Sequence, residues 1–456
     1  MPGEVRDAIY GLIEFEPREW AVIDSVPFQR LRSVQQLAMT HLVYPGARHS
    51  RWEHCVGTAH LAGNLARRIG LDPAQQERVR MAALTHDIGH GPFSHVSEEV
   101  FDQRTGQETV HEKISAAIVR HHPVIREAIG EETSEWVAEL LSGKGHGERR
   151  SVERDIVAGP ADVDKLDYLL RDSHYCGVKY GEYDLSKIIE TARKVVPRFG
   201  NETYLGFHIS GMYPLEEMLL ARYHMHRQVY GHRTRIATDR MLVRAMELGI
   251  DEGVLPRDVF TPPDEMDEDY VNEYIQWSDP RLIRALIEKK ESRAGQVMRA
   301  LMERRLYKRI LQFTFEDFVE LFGRANAGDV ARPRPQVLRE HLPRAEELVA
   351  QALSVDPIWV SLHWVELQNP LGSKFSFELA GKDILLVDDE GHATGEFNAT
   401  SEVFSDTELG GKLVVSVYAL LPPSSRFDEW DDDAQRRVKD AVIEALGIIG
   451  SAEAVL

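Results

Sequence analysis

The segment Thr85-His-Asp-Ile-Gly-His-Gly-Pro-Phe-Ser-His95 ends an apolar helical run and carries His86, Asp87, His90 and His95. Met81-Ala-Ala-Leu84 reads as helix interior, and Gly89 and Gly91-Pro92 are stop signals just past it. In a helix interior, neighbouring side chains diverge by roughly 100°. His86 and Asp87 can therefore share one ion only at a helix end, which this sequence supplies. A polar terminus capped by histidines is the bland alternative. His54, in Arg51-Trp-Glu-His54, and Asp164, in Asp162-Val-Asp-Lys-Leu-Asp-Tyr168, complete a set of two imidazoles and two carboxylates. The expectation is that these four converge on one cation.

A chain of 456 residues can hold two or more domains and a large core. No stretch approaches the ~20 apolar residues of a membrane span, and Met1-Pro-Gly-Glu-Val-Arg lacks an apolar signal segment, so a cytoplasmic location is expected. Cys55 and Cys176 give no disulfide framework and fit a reducing compartment. Cys55 follows His54 directly but reads as helix packing. The formal charge of −20 disfavours a nucleic-acid surface. An anionic small substrate stays open, because a few arginines and a metal outweigh the distant field inside a cleft.

Residues 5–16 fit a short strand pair. From Pro17 to about 195 the apolar spacing is mainly helical, with Gly/Pro breaks near 44–47, 70–73, 89–92, 104–106, 143–147 and 159–160. Thr203–Ile209 reads as a strand, followed by one long helix through about 248. Asp251–Asp269 reads as an acidic linker or surface loop, and more helices extend to about 306. Beyond that, Tyr307–Phe313, Ile358–Trp364, Asp383–Val387 and Lys412–Leu421 are β-rich and alternate with helices near 336–353 and 427–447. The expected fold is mainly α. A helical catalytic core spans 1–305, with its motif region at 50–175. A smaller α+β region spans 306–456 and serves assembly or covers the site.

Two His and two carboxylates make a mixed N/O site suited to Mn²⁺, Fe²⁺, Zn²⁺, Ni²⁺ or Mg²⁺. Such an ion acidifies bound water and neutralises phosphate charge, which is the logic of phosphoester hydrolysis. Asp164, Tyr168 and Asp172 recur at i, i+4 and i+8 on one helix face, with Lys165 at its edge. A solvated charged face would show the same spacing. Arg222, His226 and Tyr230 repeat the pattern on a polar helix over about 216–235, where Arg227, Arg233 and Arg235 add charge that invites an anion.

Three stretches together resemble the HD-domain deoxynucleoside triphosphate triphosphohydrolases, especially the animal enzyme with a sterile-alpha-motif domain and its bacterial relatives. They are Phe28-Gln-Arg-Leu-Arg32…Gln36-Leu37…Tyr44-Pro-Gly-Ala-Arg-His49…Arg51-Trp-Glu-His54, the 86–95 segment, and Asp162–Tyr168. The likeness is densest over 24–69, 84–98, 161–181 and 222–233, and thins after about 305. It implies an HD-domain core hydrolysing dNTP to deoxynucleoside and tripolyphosphate. The implied metal ligands are His54, His86, Asp87 and Asp164, with Mg on the substrate phosphates. His90 and His111 match residues near the α-phosphate, and His95, backed by Glu98, matches a proton donor to the leaving 5′ oxygen. The animal enzyme has Asp at the Glu98 position, so the relay differs in reach. Arg51, Lys165 and Arg222 match phosphate-binding cations. Gln36 and Asp172 match groups on the sugar 3′-hydroxyl, and Leu37, Tyr168 and Tyr230 match residues packed against the sugar.

The resemblance also implies a homo-oligomer, dimer or tetramer, assembled by an activating nucleotide (GTP, dGTP or a dNTP). Asp24, Gln29, Arg32, Arg193, His232 and Arg233 match parts of those sites. Two departures stand out: Gly231 replaces a base-contacting glutamine, and His208 and Ser210 replace an expected basic pair. Competing readings are another HD phosphohydrolase (a nucleotidase, or an alarmone or cyclic-nucleotide hydrolase), a nucleotide-sensing regulatory protein, and a single-strand nuclease. A pure sensor needs no proton relay such as His90, His95, Glu98 and His111.

Overall fold

The computed structural model describes residues 3–107, 109–142, 151–196, 203–323, 326–331, 333–367, 384–389, 393–396, 400–401, 412–421 and 427–455. Two compact units share the chain without following its order. The first takes 1–230, 261–282 and 370–409; the second takes 231–260, 283–369 and 410–456. This division does not coincide with a boundary at 305/306. The fold is mainly α-helical with small sheets, as the periodicity leads one to expect.

The first unit opens with a hairpin, β1 (Gly3–Asp7) and β2 (Gly11–Phe15). Asp7 closes its turn, accepting from the backbone N–H of Ile9 (2.8 Å) and Tyr10 (2.9 Å). Helices α1 (Pro17–Ile23), α2 (Val26–Arg30), α3 (Arg51–Arg68) and α4 (Pro73–Thr85) follow. A Ser50/Glu53 capping box starts α3, and Asp72 with Pro73 starts α4. Val56, Ala59, Ala62 and Leu65 of α3, with Val79, Ala82, Ala83 and Leu84 of α4, are buried. The Thr58 hydroxyl donates to the Ala83 carbonyl at 3.0 Å and ties the pair together.

Next come α5 (His95–Thr105), α6 (Val110–His121), α7 (Pro123–Ile129), α8 (Glu131–Leu141), α9 (Val152–Ala158), α10 (Val163–Cys176) and α11 (Leu185–Thr191). Asp162 caps α10, and left-handed Gly177 ends it. Strands β3 (Ala192–Val195) and β4 (Tyr204–His208) pair antiparallel. Then comes α12 (Met212–Met225).

One long helix to residue 248 is not what forms. After α12 the chain makes a π-helical turn, His226–Tyr230, and a new helix, α13 (Arg233–Asp251), starts beyond Gly231. Glycine costs a helix interior about 1 kcal/mol, and His232 caps the new helix by accepting from the Thr234 N–H at 3.2 Å. The expected 251–269 loop contains a short helix, α14 (Arg257–Phe260), whose Val259 and Phe260 are buried. Helices α15 (Glu268–Tyr274), α16 (Asp279–Glu288) and α17 (Arg293–Met302) complete this stretch.

The second unit holds β5 (Lys308–Thr314), α18 (Phe315–Phe322), α19 (Ala327–Ala331), α20 (Pro335–Leu353) and β6 (Val360–Leu367). Strands β7 (Leu385–Val387) and β8 (Ala393–Glu396) extend the first unit's sheet in the order β3-β4-β7-β8. The second unit resumes with β9 (Lys412–Ala419) and α21 (Asp432–Val455). Its sheet runs β5-β9-β6, and Val349, Val360, Val415, Val442 and Ile449 share its core with Phe318. All four β-rich stretches read from the sequence contain strands, although Asp383 and the 143–147 break lie outside the described residues.

The feature that positions the site is the short turn between α4 and α5. Gly89 lies so close to α6 that a Cβ there would overlap the His111 carbonyl and the Ser115 backbone nitrogen. Gly89→Ala should therefore cost about 1–3 kcal/mol, read as a lower urea midpoint at unchanged slope.

Candidate active site

The four candidate metal ligands come from three places in the first unit. His54 sits one turn into α3, His86 and Asp87 sit at the end of α4, and Asp164 sits in the first turn of α10. His54 Nε2 lies 3.1 Å from Asp164 Oδ1 and 3.5 Å from Asp87 Oδ2. His86 Nε2 lies 3.4 Å from Asp87 Oδ1 and 3.8 Å from Asp164 Oδ1. The structure brings all four together.

The donor set fits a divalent cation. Both Nε2 atoms are buried and approach the carboxylates without hydrogen-bonding geometry. The other ring nitrogens are engaged: His54 Nδ1 with Asp167 Oδ2 at 2.8 Å, and His86 Nδ1 with the Ala83 carbonyl at 2.7 Å. A donated Nδ1–H leaves the Nε2 lone pair facing the cluster, as a ligating histidine requires. Burial disfavours a charged His54, yet its contacts with Asp164, Asp167 and Asp87 prevail and hold it up at about 10. The cluster thus favours positive charge at its centre. The Asp164 side chain is 36% exposed, leaving the cluster open to water on that side.

Arg51, buried at the start of α3, pairs with Asp87 Oδ2 and donates from Nε to the Ser94 hydroxyl at 3.0 Å. Burial pushes Asp87 up, but Arg51 and the surrounding histidines hold it well below the usual carboxylate range.

Beside this cluster lies a row of histidines. His90 Nε2 is 3.4 Å from Asp87 Oδ1, and its ring stacks on His111 at 4.1 Å. Burial, then Arg51 and His111, hold His90 well below its ordinary value, so it is neutral. Glu98 bridges the other two histidines, bonding His111 Nδ1 through one oxygen and His95 Nδ1 through the other at 2.9 Å. Burial opposes the charge on both, but their mutual bond drives His111 up and Glu98 far down, so they form an ion pair. The His95 side chain is 62% exposed.

The remaining candidates divide. Asp172 receives His49 Nε2 on Oδ1 (2.7 Å) and the Tyr230 hydroxyl on Oδ2 (2.6 Å), and the Tyr168 and Tyr230 rings meet edge-on. Gln36 and Leu37 are buried on a segment whose Gln36 N–H donates to the His49 carbonyl at 3.1 Å. Burial raises the Tyr168 hydroxyl against the opposing charge of Arg222. Lys165 behaves differently, turning its ammonium to Asp162 (2.5 Å) and the Gly159 carbonyl (3.2 Å). Arg32 donates to the Gln29 side chain at 2.9 Å and lies over Trp52, and Asp24 ends α1. Arg193 bonds the carbonyls of Glu190 and Ala192, and His232 and Arg233 open α13 in the second unit.

Sequence reasoning missed the groups that hold this site in shape. Arg30 donates to the carbonyls of Ile88 (2.7 Å) and His90 (2.8 Å), and the Tyr274 hydroxyl to that of Gly89 (2.7 Å). Asp279 accepts the Phe93 N–H at 2.7 Å and the Gln35 N–H at 3.0 Å. It thereby pins the consecutive positive-φ residues Phe93 and Ser94, which precede His95. An Asp167–Arg171 spacing of i, i+4 was the one local clue to the shell behind His54.

An HD domain is matched over residues 51–172 and an HD associated region over 195–357. The deoxynucleoside triphosphate triphosphohydrolase SAMHD1 homolog of Dictyostelium discoideum is 31% identical over 67% of this chain and 59% of its own length. Human SAMHD1 is 29% identical over 77% of this chain and 62% of its own. The chain thus spans about three-fifths of the length of these relatives. A phosphohydrolase of known structure from Bacteroides thetaiotaomicron superposes with TM-score 0.68 at 22% identity, over 92% of this chain and 100% of that one. That likeness establishes a shared fold. Among the described residues no helix is long and apolar enough to cross a membrane.

Burial raises the Asp279 carboxyl to about 7 despite its backbone donors. A carboxyl with a raised folded pKa binds its proton in the native state first, so its contribution to stability falls as pH climbs from about 4 to 7. Against Asp279→Asn, wild-type stability in urea should decline from pH 5 to pH 8; a flat difference would contradict this.

Proposed function

We propose, from the premise that this chain is an HD-domain protein homologous to the SAMHD1 triphosphohydrolases and their bacterial relatives, that it is a metal-dependent dNTP triphosphohydrolase. Water adds to the α-phosphorus, the bond to the 5′ oxygen breaks, and deoxynucleoside and tripolyphosphate leave. The observation that carries the reading is the convergence of His54, His86, Asp87 and Asp164 beside the Glu98-linked histidines. A divalent cation held by those four supplies phosphate neutralisation and acidifies water.

The chain's own groups do the rest. Arg51 fixes Asp87 and presents a second positive charge to phosphate. Neutral His90 sits between Asp87 and His111, suited to a phosphate oxygen. With Nδ1 bonded to Glu98, His95 delivers a proton from Nε2 to the departing 5′ oxygen. Asp172 and Gln36 receive the 3′-hydroxyl, while Leu37, Tyr168 and Tyr230 pack against the sugar and exclude a 2′-hydroxyl. The runner-up is another HD phosphohydrolase, which the same site chemistry would serve without a sugar-reading row.

Purified protein incubated with each dNTP and Mg²⁺ or Mn²⁺ should release tripolyphosphate, identified by phosphorus NMR. Release of orthophosphate or pyrophosphate would assign the protein to the runner-up. His86→Ala and Asp164→Ala should each lose more than about 100-fold in turnover with an unchanged circular dichroism spectrum. Retained rates in either variant would remove the metal mechanism. Activation by nucleotide at the Asp24, Gln29 and Arg32 surface is part of the same proposal. Titrating GTP or dGTP should raise both rate and oligomer size, and no change in either overturns it.

A further inference from the structure

We infer that the N-terminal hairpin is a working part of the metal site, with Asp7 acting through Arg171 and Asp167 to set the orientation and donor strength of His54. The inference rests on the metal-binding reading above, but on none of its substrate assignments.

The contacts form an unbroken buried chain. His54 Nδ1 meets Asp167 Oδ2 at 2.8 Å. Arg171 grips that carboxylate twice, Nε to Oδ2 at 2.8 Å and Nη2 to Oδ1 at 2.9 Å. Its remaining terminal nitrogen, Nη1, reaches Asp7 Oδ2 at 2.8 Å. The side chains of His54, Asp167 and Arg171 have no solvent exposure, and that of Asp7 has 2%. Gly57 makes room on α3, since a Cβ there would overlap both the Asp167 carboxylate and the Arg171 guanidinium.

Each link has a consequence for the next. The other Asp7 oxygen closes the hairpin turn by accepting from Ile9 and Tyr10, so Asp7 cannot move without the hairpin. Arg171 divides one positive charge between two carboxylates. Neutralising Asp7 would concentrate that charge on Asp167, weakening the pull of Asp167 on the His54 Nδ1 proton. A weaker pull makes Nε2 a poorer donor and loosens the ring's aim. Packing alone would not require this arrangement, because buried ion pairs are commonly replaceable by apolar groups at no loss of stability. Asp7, Arg171 and Asp167 are positioning residues here, not catalytic ones.

The test is Asp7→Asn in the full chain, with Mn²⁺ as probe. Electron paramagnetic resonance of unbound Mn²⁺ gives the dissociation constant, and the signal is assigned to this site by its loss in His54→Ala. The expected result is an affinity about 10- to 100-fold weaker than wild type, with an altered Co²⁺ ligand-field spectrum at saturation. Wild-type Mn²⁺ affinity and Co²⁺ spectrum in Asp7→Asn would overturn the inference, even if the metal-free protein melts at a lower temperature. Should that variant not fold, Asp7→Glu, which keeps the charge and displaces the carboxylate, is read in the same way. Failure of the wild type to bind Mn²⁺ or Co²⁺ would instead sink the metal reading beneath it.

Discussion

Two imidazoles held in the interior among carboxylates are the constraint on which the first unit turns. Burying an unpaired carboxylate is costly enough that proteins neutralise, pair or ligate it. Asp87 is paired by Arg51, and Asp167 by Arg171. Among the described residues Asp164 pairs with no arginine in this way and faces both His54 and His86, with its carboxylate partly open to water. The arrangement is electrostatically complete with a positive charge at the point where the two Nε2 atoms and the carboxylates meet. Three helices must arrive together for that point to exist, which explains why α3 and α4 meet over small, fully buried residues.

A second requirement is a turn that does not move. The backbone from Ile88 to Ser94 carries His90 and leads into His95, and its polar groups are taken up one at a time by distant side chains. Arg30 and Tyr274 hold the carbonyls, Asp279 holds an N–H, and Arg51 meets the Ser94 hydroxyl. Rigid placement of this kind is what proton transfer and charge stabilisation demand, since their contribution decays quickly with misplacement. Asp279 also holds Gln35, next to Gln36, so one side chain fixes both the turn before His95 and the segment that carries Gln36 and Leu37.

Much of this was legible in advance. The hairpin at the N-terminus, the helix end at His86, the capped helix carrying Asp164 and the four β-rich stretches all follow from local spacing and from Gly, Pro and Asp signals. The expected single helix through 248 failed because apolar periodicity survives a π turn that shifts the register and then stops at Gly231. Lys165 was read as a cation at the edge of the site, but a neighbour three residues back, Asp162, captures it. Spacing gave no sign of what the side chains of His49, Arg30 and Asp279 do, because their side-chain partners lie from 58 to 247 residues away.

The sequence by itself determined which chemistry the chain can perform. It places imidazoles and carboxylates at a helix end and on a helix face, and local backbone rules suffice to read both. Tertiary structure alone decided which of those groups work together and what stands behind them. The chain Asp7–Arg171–Asp167–His54 joins a hairpin to a buried imidazole through contacts 164 and 113 positions apart, and only packing can express it. Buried charges choose partners by distance in space, on which sequence separation places almost no limit.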